Sequence, residues 1–196
     1  MRNPIRLKNL KLRFGLLYLL GAVALYYLRP GPVNFVAGGS LVALGSVLRT
    51  WGAGHLVKND RLTVTGPYAH LRHPLSAGTL LVGAGFAIIA GGVLSVLLLA
   101  LLMPWFFLMY FPRKERIESE RLEALYGAQF AGYREAVPAL FPSRRAWRPA
   151  TGQGEAFDDL ARTWSRARYL DNNELGTLIA LVAGLVLFVF RAQVGG

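Results

Sequence analysis

Residues 74–112 form a run of 39 residues without one charged side chain, and this run constrains the possible fold more than any other feature. A helix that crosses a bilayer needs roughly 20 predominantly apolar residues. The run is therefore long enough for two crossings. Gly91 and Gly92 lie near its midpoint, where adjacent glycines favour a turn. We expect two membrane-embedded helices joined as a tight hairpin.

Three shorter charge-free runs predict further crossings, at residues 14–28, 30–48 and 175–190. The chain is also 54% hydrophobic with a mean hydropathy of +0.37, which is too apolar for an ordinary soluble domain. The sequence thus predicts an all-α, polytopic membrane protein with five transmembrane helices. Their expected positions are about residues 14–28, 34–52, 75–91, 93–111 and 172–196.

The net charge of +11 is distributed unevenly along the chain. With the N-terminus in the cytoplasm, every lysine and arginine except Arg29 and Arg191 falls on the cytoplasmic side. This is the bias that orients membrane proteins. Topology and anionic membrane lipid therefore explain the charge, with no nucleic acid as a partner. We expect an integral protein of a bacterial or archaeal cytoplasmic membrane.

The chain divides into three predicted segments. Residues 1–150 form a membrane-embedded core that includes a cytosolic helix at residues 112–126. Residues 151–171 form an amphipathic segment at the membrane interface, and residues 172–196 form the last crossing. The absence of cysteine excludes disulfides and thiolate metal sites, and three histidines make a poor metal site.

A polar insert between the apolar runs is the first candidate site. Residues 65–78 read T-G-P-Y-A-H-L-R-H-P-L-S-A-G. Pro67 and Pro74 prevent one continuous helix, because proline lacks a backbone donor and restricts the residue before it. Some backbone amides are then free to contact a ligand. Ionisable groups beside hydrocarbon are costly and usually face a cavity or a partner, so we interpret the insert as the floor of a reaction site.

A charged helix follows the hairpin and supplies the second candidate. By helical periodicity Glu118 lies on an apolar stripe, together with Leu122, Leu125 and Tyr126. Glu118 is therefore a candidate site residue. The other glutamates of this helix are interpreted as solvated side chains: Glu115, Glu120 and Glu123.

Three motifs occur in order between residues 49 and 142: G-P-Y-x-x-x-R-H-P, the acidic helix E-S-E-R-L-E-A-L-Y-G, and Y-x-x-x-V-P. In this order they closely resemble the isoprenylcysteine carboxyl methyltransferase family of integral membrane enzymes. The chain departs from that family at two positions. It has Ser76 where tyrosine is usual, and Ser119 where a second glutamate usually follows the first.

The resemblance implies an S-adenosylmethionine pocket at the cytosolic face, open sideways to a lipophilic or prenylated acceptor. It implies catalytic roles for Glu118 and for Lys114, which would orient the acceptor carboxylate. A lysine there lacks the planar fork with which arginine grips a carboxylate. The implied contacts to the methyl donor are Lys58, Asp60, Arg61, Leu62, Thr63, Tyr68, Arg72, His73 and Glu118.

The implied reaction is in-line displacement of a methyl group from a sulfonium. A carboxylate acceptor is already a nucleophile, so positioning can supply much of the acceleration. If the methyl group went to an amine or a thiol, a general base would be needed to take up the proton, and the sequence indicates no residue for that role. Three alternatives stay open: phospholipid N-methylation, a membrane reductase of related fold using NADPH, and a non-catalytic membrane partner. The sequence does not indicate an oligomeric state.

Overall fold

The computed structural model describes residues 27–57, 62–148 and 163–194. The elements in these ranges are all helical, which confirms the predicted all-α class. A 3-10 turn, Gly66–Ala69, lies before the second helix, and a π-helical segment, Trp105–Tyr110, lies after the third. The α-helices in the described ranges are α1 Pro32–His55, α2 Pro74–Ala90, α3 Gly92–Pro104, α4 Phe111–Tyr126, α5 Ala128–Ala136, α6 Arg166–Asp171 and α7 Glu174–Val194.

Three helices of the described ranges are long and apolar enough to cross a membrane: Pro32–His55, Gly92–Tyr126 and Glu174–Gln193. The predicted crossing at α2 is apolar but has only 17 residues. The predicted helix at residues 14–28 lies outside the described residues. The number of five crossings therefore stays a prediction.

The predicted hairpin is present between α2 and α3, and its turn lies at the paired glycines. Gly91 and Gly92 have φ angles of 71° and 54°, which favour glycine. A Cβ on Gly91 would overlap the carbonyl oxygen of Arg29. The N–H of Arg29 also donates to the carbonyl of Ala90 at 2.9 Å. The hairpin turn thus packs against the segment that leads into α1.

One continuous helix, Gly92–Tyr126, contains α3, the π-helical segment and α4. At 1.5 Å per residue its 35 residues extend about 52 Å, whereas the hydrocarbon layer is about 30 Å thick. The apolar residues 92–111 are sufficient to fill that layer, so the charged α4 extends beyond it. Pro104, which has no N–H donor, lies where the helix changes to π geometry.

Helices α1 and α2 approach each other through two glycine pairs. A Cβ on Gly38 would overlap the carbonyl oxygen of Gly85, and a Cβ on Gly45 would lie 2.6 Å from that of Gly78. Small residues allow such close approach between helices in a membrane. At this crossing Gly38 and Gly45 of α1 therefore lie directly against the backbone of α2.

A hydrophobic cluster joins α5 to the segment directly before the polar insert. It consists of Leu62, Val64, Phe130, Tyr133 and Val137, all of them buried. Through this cluster the chain after α4 folds back over the segment that precedes the 3-10 turn. The insert, α4 and α5 therefore meet at one end of the helical bundle.

Candidate functional site

The polar insert forms the short 3-10 turn Gly66–Ala69 rather than a long helix, as its prolines predict. Gly66 has a φ of 59°, and a Cβ there would lie 2.5 Å from the ring of His55. Only glycine fits this position without strain. The hydroxyl of Tyr133 donates to the backbone carbonyl of the buried Tyr68 at 2.7 Å. The turn is thus attached to α5.

The segment that follows α5 holds the backbone of the R-H-P motif. The N–H of Arg72 donates to the carbonyl of Pro138 at 2.9 Å, and that of His73 donates to Ala139 at 3.0 Å. The side-chain Nε of Arg72 also donates to the carbonyl of Val137 at 2.9 Å. Buried backbone groups need such partners. The segment 137–139 therefore holds the backbone of Arg72 and His73 and the side chain of Arg72.

Glu115 joins Arg72 and His73 in a largely buried ion cluster. One carboxylate oxygen accepts a hydrogen bond from Arg72 Nη1, and the other accepts one from His73 Nε2. The second ring nitrogen of His73, Nδ1, lies 3.5 Å from Oε2 of Glu118. Because each ring nitrogen faces a carboxylate, this geometry favours the imidazolium form of His73, in which both nitrogens carry hydrogen.

The pKa shifts follow from this geometry. Burial disfavours charge on His73, but its hydrogen bonds to Glu115 and Glu118 outweigh burial and raise the pKa of His73. Burial also opposes charge on Glu115, but the hydrogen bond and charge of His73 and the charge of Arg72 lower its pKa to about 2. For Glu118, His73 and Lys114 outweigh burial and lower the pKa. Both glutamates are therefore carboxylates at neutral pH.

We expect the melting temperature to fall as the pH rises through the raised pKa of His73. The stabilisation from its ion pairs is complete below the ordinary pKa of about 6.5 and is lost as the folded-state ring deprotonates. The measurement is thermal unfolding of the purified protein from about pH 6 to 9, beside His73→Gln, which should lose less stability over that range. Parallel curves for the two proteins would contradict the imidazolium.

Lys114 reaches the motif from α4. Its ammonium donates to the hydroxyl of Ser76 at 2.6 Å, and Ser76 is buried. Ser119 is also buried, and its hydroxyl donates to Glu115 at 3.4 Å. The two serines that depart from the family pattern therefore both bond to charged residues of α4, Lys114 and Glu115.

A cavity of about 700 Å³ opens beside the cluster. Small-molecule sites typically have roughly 300–1,000 Å³. Its polar lining includes Tyr68, Arg72, His73, Lys114 and Glu118. Its apolar lining includes Leu56, Leu62, Trp105, Met109, Ile117, Leu122, Leu125 and Phe130.

All predicted site residues within the described ranges line this one cavity: Leu62, Thr63, Tyr68, Arg72, His73, Lys114 and Glu118. The structure thus brings the polar insert and the acidic helix together, although the membrane hairpin separates them in sequence. Lys58, Asp60 and Arg61 lie outside the described residues, and their roles stay predictions.

The interpretation of Glu115 as a solvated side chain is wrong. Its side chain is 19% exposed and pairs with Arg72 and His73, behind the cavity surface. Helical periodicity indicates which residues share a face of α4, but not that the R-H-P motif packs against the face of Glu115. The available signal was spacing, since Glu115 precedes Glu118 by three residues and Ser119 by four, which makes them neighbours on a helix.

Comparison with known proteins identifies a family. Residues 33–129 match the family described as phospholipid methyltransferase. A curated relative, the cobalt-zinc-cadmium resistance protein CzcN of Cupriavidus metallidurans, is 36% identical over 121 residues, which are 60% of this chain and 53% of the relative. The chain thus spans about half the length of that relative. No solved structure gives a significant match to the chain. The family match contains the R-H-P motif and both glutamates of the cluster.

Proposed function

Since residues 33–129 place this chain in the phospholipid methyltransferase family of membrane enzymes, we propose that it transfers a methyl group from S-adenosylmethionine to a lipophilic acceptor. The reaction that we propose is carboxyl O-methylation, as in the isoprenylcysteine carboxyl methyltransferases. The observation that carries the proposal is the position of the His73 ring, which lies between the carboxylates of Glu115 and Glu118 at a cavity with both polar and apolar lining.

The charges of the cavity fit those of S-adenosylmethionine. When bound, this donor supplies a methyl group on a sulfonium, whose carbon–sulfur bond breaks as the acceptor attacks. Glu118 is the best candidate for the amino group of the donor, because its carboxylate is 43% exposed. Arg72 and His73 would hold the carboxylate or adenosyl portion, beside the wall formed by Leu62 and Thr63.

The apolar part of the lining supports a lipophilic acceptor. Trp105, Met109, Ile117 and Leu125 line the cavity and are 47% to 66% exposed. The first two belong to the apolar part of the long helix, at the level of the hydrocarbon. A lipid chain can therefore lie against this side of the cavity while its polar group reaches the cluster. The predicted orientation of the chain would put this opening at the cytosolic face.

The described groups of the cluster offer no proton acceptor near neutral pH. Both nitrogens of His73 face carboxylates, and Glu115 is held by His73 and Arg72. Burial raises the pKa of Tyr68, so its hydroxyl stays protonated. An ammonium acceptor would have to lose a proton before attack, whereas a carboxylate arrives as a nucleophile. This chemistry supports a carboxylate acceptor over a phospholipid amine.

Lys114 is the candidate for orienting the acceptor carboxylate. An ammonium group has three N–H donors, and the bond to Ser76 uses one of them. The remaining donors and the positive charge favour an anionic acceptor. A lysine binds a carboxylate as a point charge rather than as a two-bond fork, so the apolar contacts of the acceptor would supply part of its orientation.

Methyl transfer to defined lipids tests the function and the acceptor together. The purified protein is incubated with methyl-labelled S-adenosylmethionine and with lipids that carry either a carboxylate or an amine. We expect label in the carboxylate lipid, released as methanol by mild alkali, because methyl esters hydrolyse and N-methyl amines do not. Alkali-stable label in the amine lipid would contradict the proposed acceptor. Stabilisation by NADPH but not by S-adenosylmethionine would contradict the methyltransferase itself.

A further inference from the structure

Residues 163–174, which we call the C-terminal clasp, pack against the C-terminal end of α1. The clasp lies beyond the family match at residues 33–129. A helix leaves its last carbonyl groups without partners in the helix itself. At the end of α1, the Nδ2 group of Asn172 donates to the carbonyls of Ala53 at 2.9 Å and Leu56 at 3.1 Å. The clasp therefore caps α1 from a distant part of the chain.

Gly54 is the centre of this contact. Its carbonyl accepts hydrogen bonds from Arg168 Nε at 2.8 Å and from the backbone N–H of Ser165 at 3.0 Å. The indole of Trp164 donates to the carbonyl of Thr50 at 3.0 Å and lies so close that a Cβ on Gly54 would overlap it. A guanidinium also suits the negative end of a helix dipole. The end of α1 and the clasp thus fit each other closely.

An ion pair fixes the clasp to the helical bundle. Arg49 of α1 donates to both carboxylate oxygens of the buried Glu174, at 3.1 and 2.5 Å. Its third nitrogen donates to the hydroxyl of Thr79 in α2 at 2.5 Å. Bidentate pairs of this kind fix geometry as well as supply energy. The clasp is therefore held in a defined position against both helices.

The end of α1 that the clasp caps continues directly into the cavity wall. Leu56 and Val57 line the cavity, as does the buried Thr63. The N–H of Val57 donates to the hydroxyl of Thr63 at 3.1 Å, so these two wall residues are hydrogen-bonded to each other. Asn172, which does not itself line the cavity, therefore holds the carbonyl of a wall residue.

We propose that Asn172 and Arg168 are positioning residues for the donor-binding wall and act through Leu56 and Val57. The inference rests on the proposed function, because it assigns this wall to S-adenosylmethionine. Loss of the clasp hydrogen bonds loosens the wall without changing the charged groups around His73. The consequence is weaker donor binding with an unchanged rate of the chemical step.

The test compares Asn172→Asp with Asn173→Asp. The first change keeps the side-chain shape but replaces the N–H donor by an oxygen that faces carbonyl groups. The second makes the same change at the next residue, whose side chain is exposed and whose φ of 58° suits aspartate as well as asparagine. We expect Asn172→Asp to raise the KM for S-adenosylmethionine about tenfold, with kcat within about twofold. Asn173→Asp should change neither.

Two further measurements keep the inference falsifiable. Arg168→Gln, which removes the side-chain bond to Gly54, should raise the same KM and serves if Asn172→Asp does not fold. Amide hydrogen exchange of ligand-free Asn172→Asp should be faster at residues 53–57 than in Asn173→Asp. Folded Asn172→Asp and Arg168→Gln proteins with unchanged KM, or Asn172→Asp with unchanged exchange, would overturn the inference and leave the methyltransferase standing. Wild-type protein that binds no S-adenosylmethionine would instead overturn the proposed function and the assignment of the wall with it.

Discussion

Replacing Glu115 by glutamine should reduce methyl transfer at least about 100-fold, because a small misplacement of positioning groups costs that much. Glu115 does not itself line the cavity, but it holds Arg72 and His73 by one carboxylate oxygen each. A neutral amide cannot balance two positive charges. The amide NH2 of the new glutamine would also face either Arg72 or His73, and both of these side chains are donors.

The same change should also destabilise the fold. The side chains of Arg72 and His73 are only 12% and 5% exposed, so Glu115→Gln deprives two poorly hydrated charges of a carboxylate and leaves His73 with Glu118 alone. Breaking a buried ion pair in this way costs about 3–5 kcal/mol. Thermal unfolding and single-turnover methyl transfer measure the two effects separately.

Glu120→Gln is the matched control for this prediction. Glu120 lies on the same helix, is exposed, and was interpreted from the sequence in the same way as Glu115. An exposed change of this type alters stability by less than about 0.5 kcal/mol, and activity should stay within about twofold. Equal behaviour of Glu115→Gln and Glu120→Gln would show that the ion cluster does not position the site.

The second large effect is expected at the crossing of α1 and α2. Gly38→Ala places a Cβ against the carbonyl oxygen of Gly85 and 2.6 Å from Cγ1 of Ile89. A backbone carbonyl cannot move aside as a flexible side chain can, so the helices must separate. Overpacking costs about 1–3 kcal/mol, and we expect the upper end of that range.

Gly39→Ala is the control, since a Cβ added at this next residue would have no atom within 4 Å beyond its chain neighbours and the backbone of its own helix. Alanine favours a helix over glycine by up to about 1 kcal/mol, so Gly39→Ala should be neutral or slightly stabilising. Thermal unfolding of both variants in one detergent measures the difference. A Gly38→Ala protein as stable as Gly39→Ala would mean that the two helices do not pack through their glycines.

Features that depend on local composition could be predicted from the sequence. The charge-free run and its paired glycines predicted the hairpin, because helices in hydrocarbon must satisfy their own backbone groups and glycine allows the turn. The prolines of the insert predicted the interruption before α2. The resemblance then indicated Tyr68, Arg72, His73 and Glu118, which the structure brings to one cavity.

Features that depend on distant contacts could not be predicted in this way. The role of Glu115 depends on the packing of the R-H-P motif against α4. Glu115 and His73 are 42 residues apart in sequence. The capping of α1 by Asn172 joins residues 119 positions apart, and no local pattern in either segment indicates the other. Polar residues at the end of a predicted membrane helix are usually solvated, so the residues of neither segment indicated a contact with the other.

Under the proposed function, the continuous helix Gly92–Tyr126 determines how far the reaction site lies from the apolar part of the same helix. Glu118 lies seven residues beyond Phe111, the last residue of the apolar stretch, and at 1.5 Å per residue this rise is about 10 Å. One continuous helix thus sets the depth of Glu118 relative to the edge of the hydrocarbon. The proposed acceptor would therefore place its nucleophilic atom in the headgroup layer at that height, with its tail among the acyl chains.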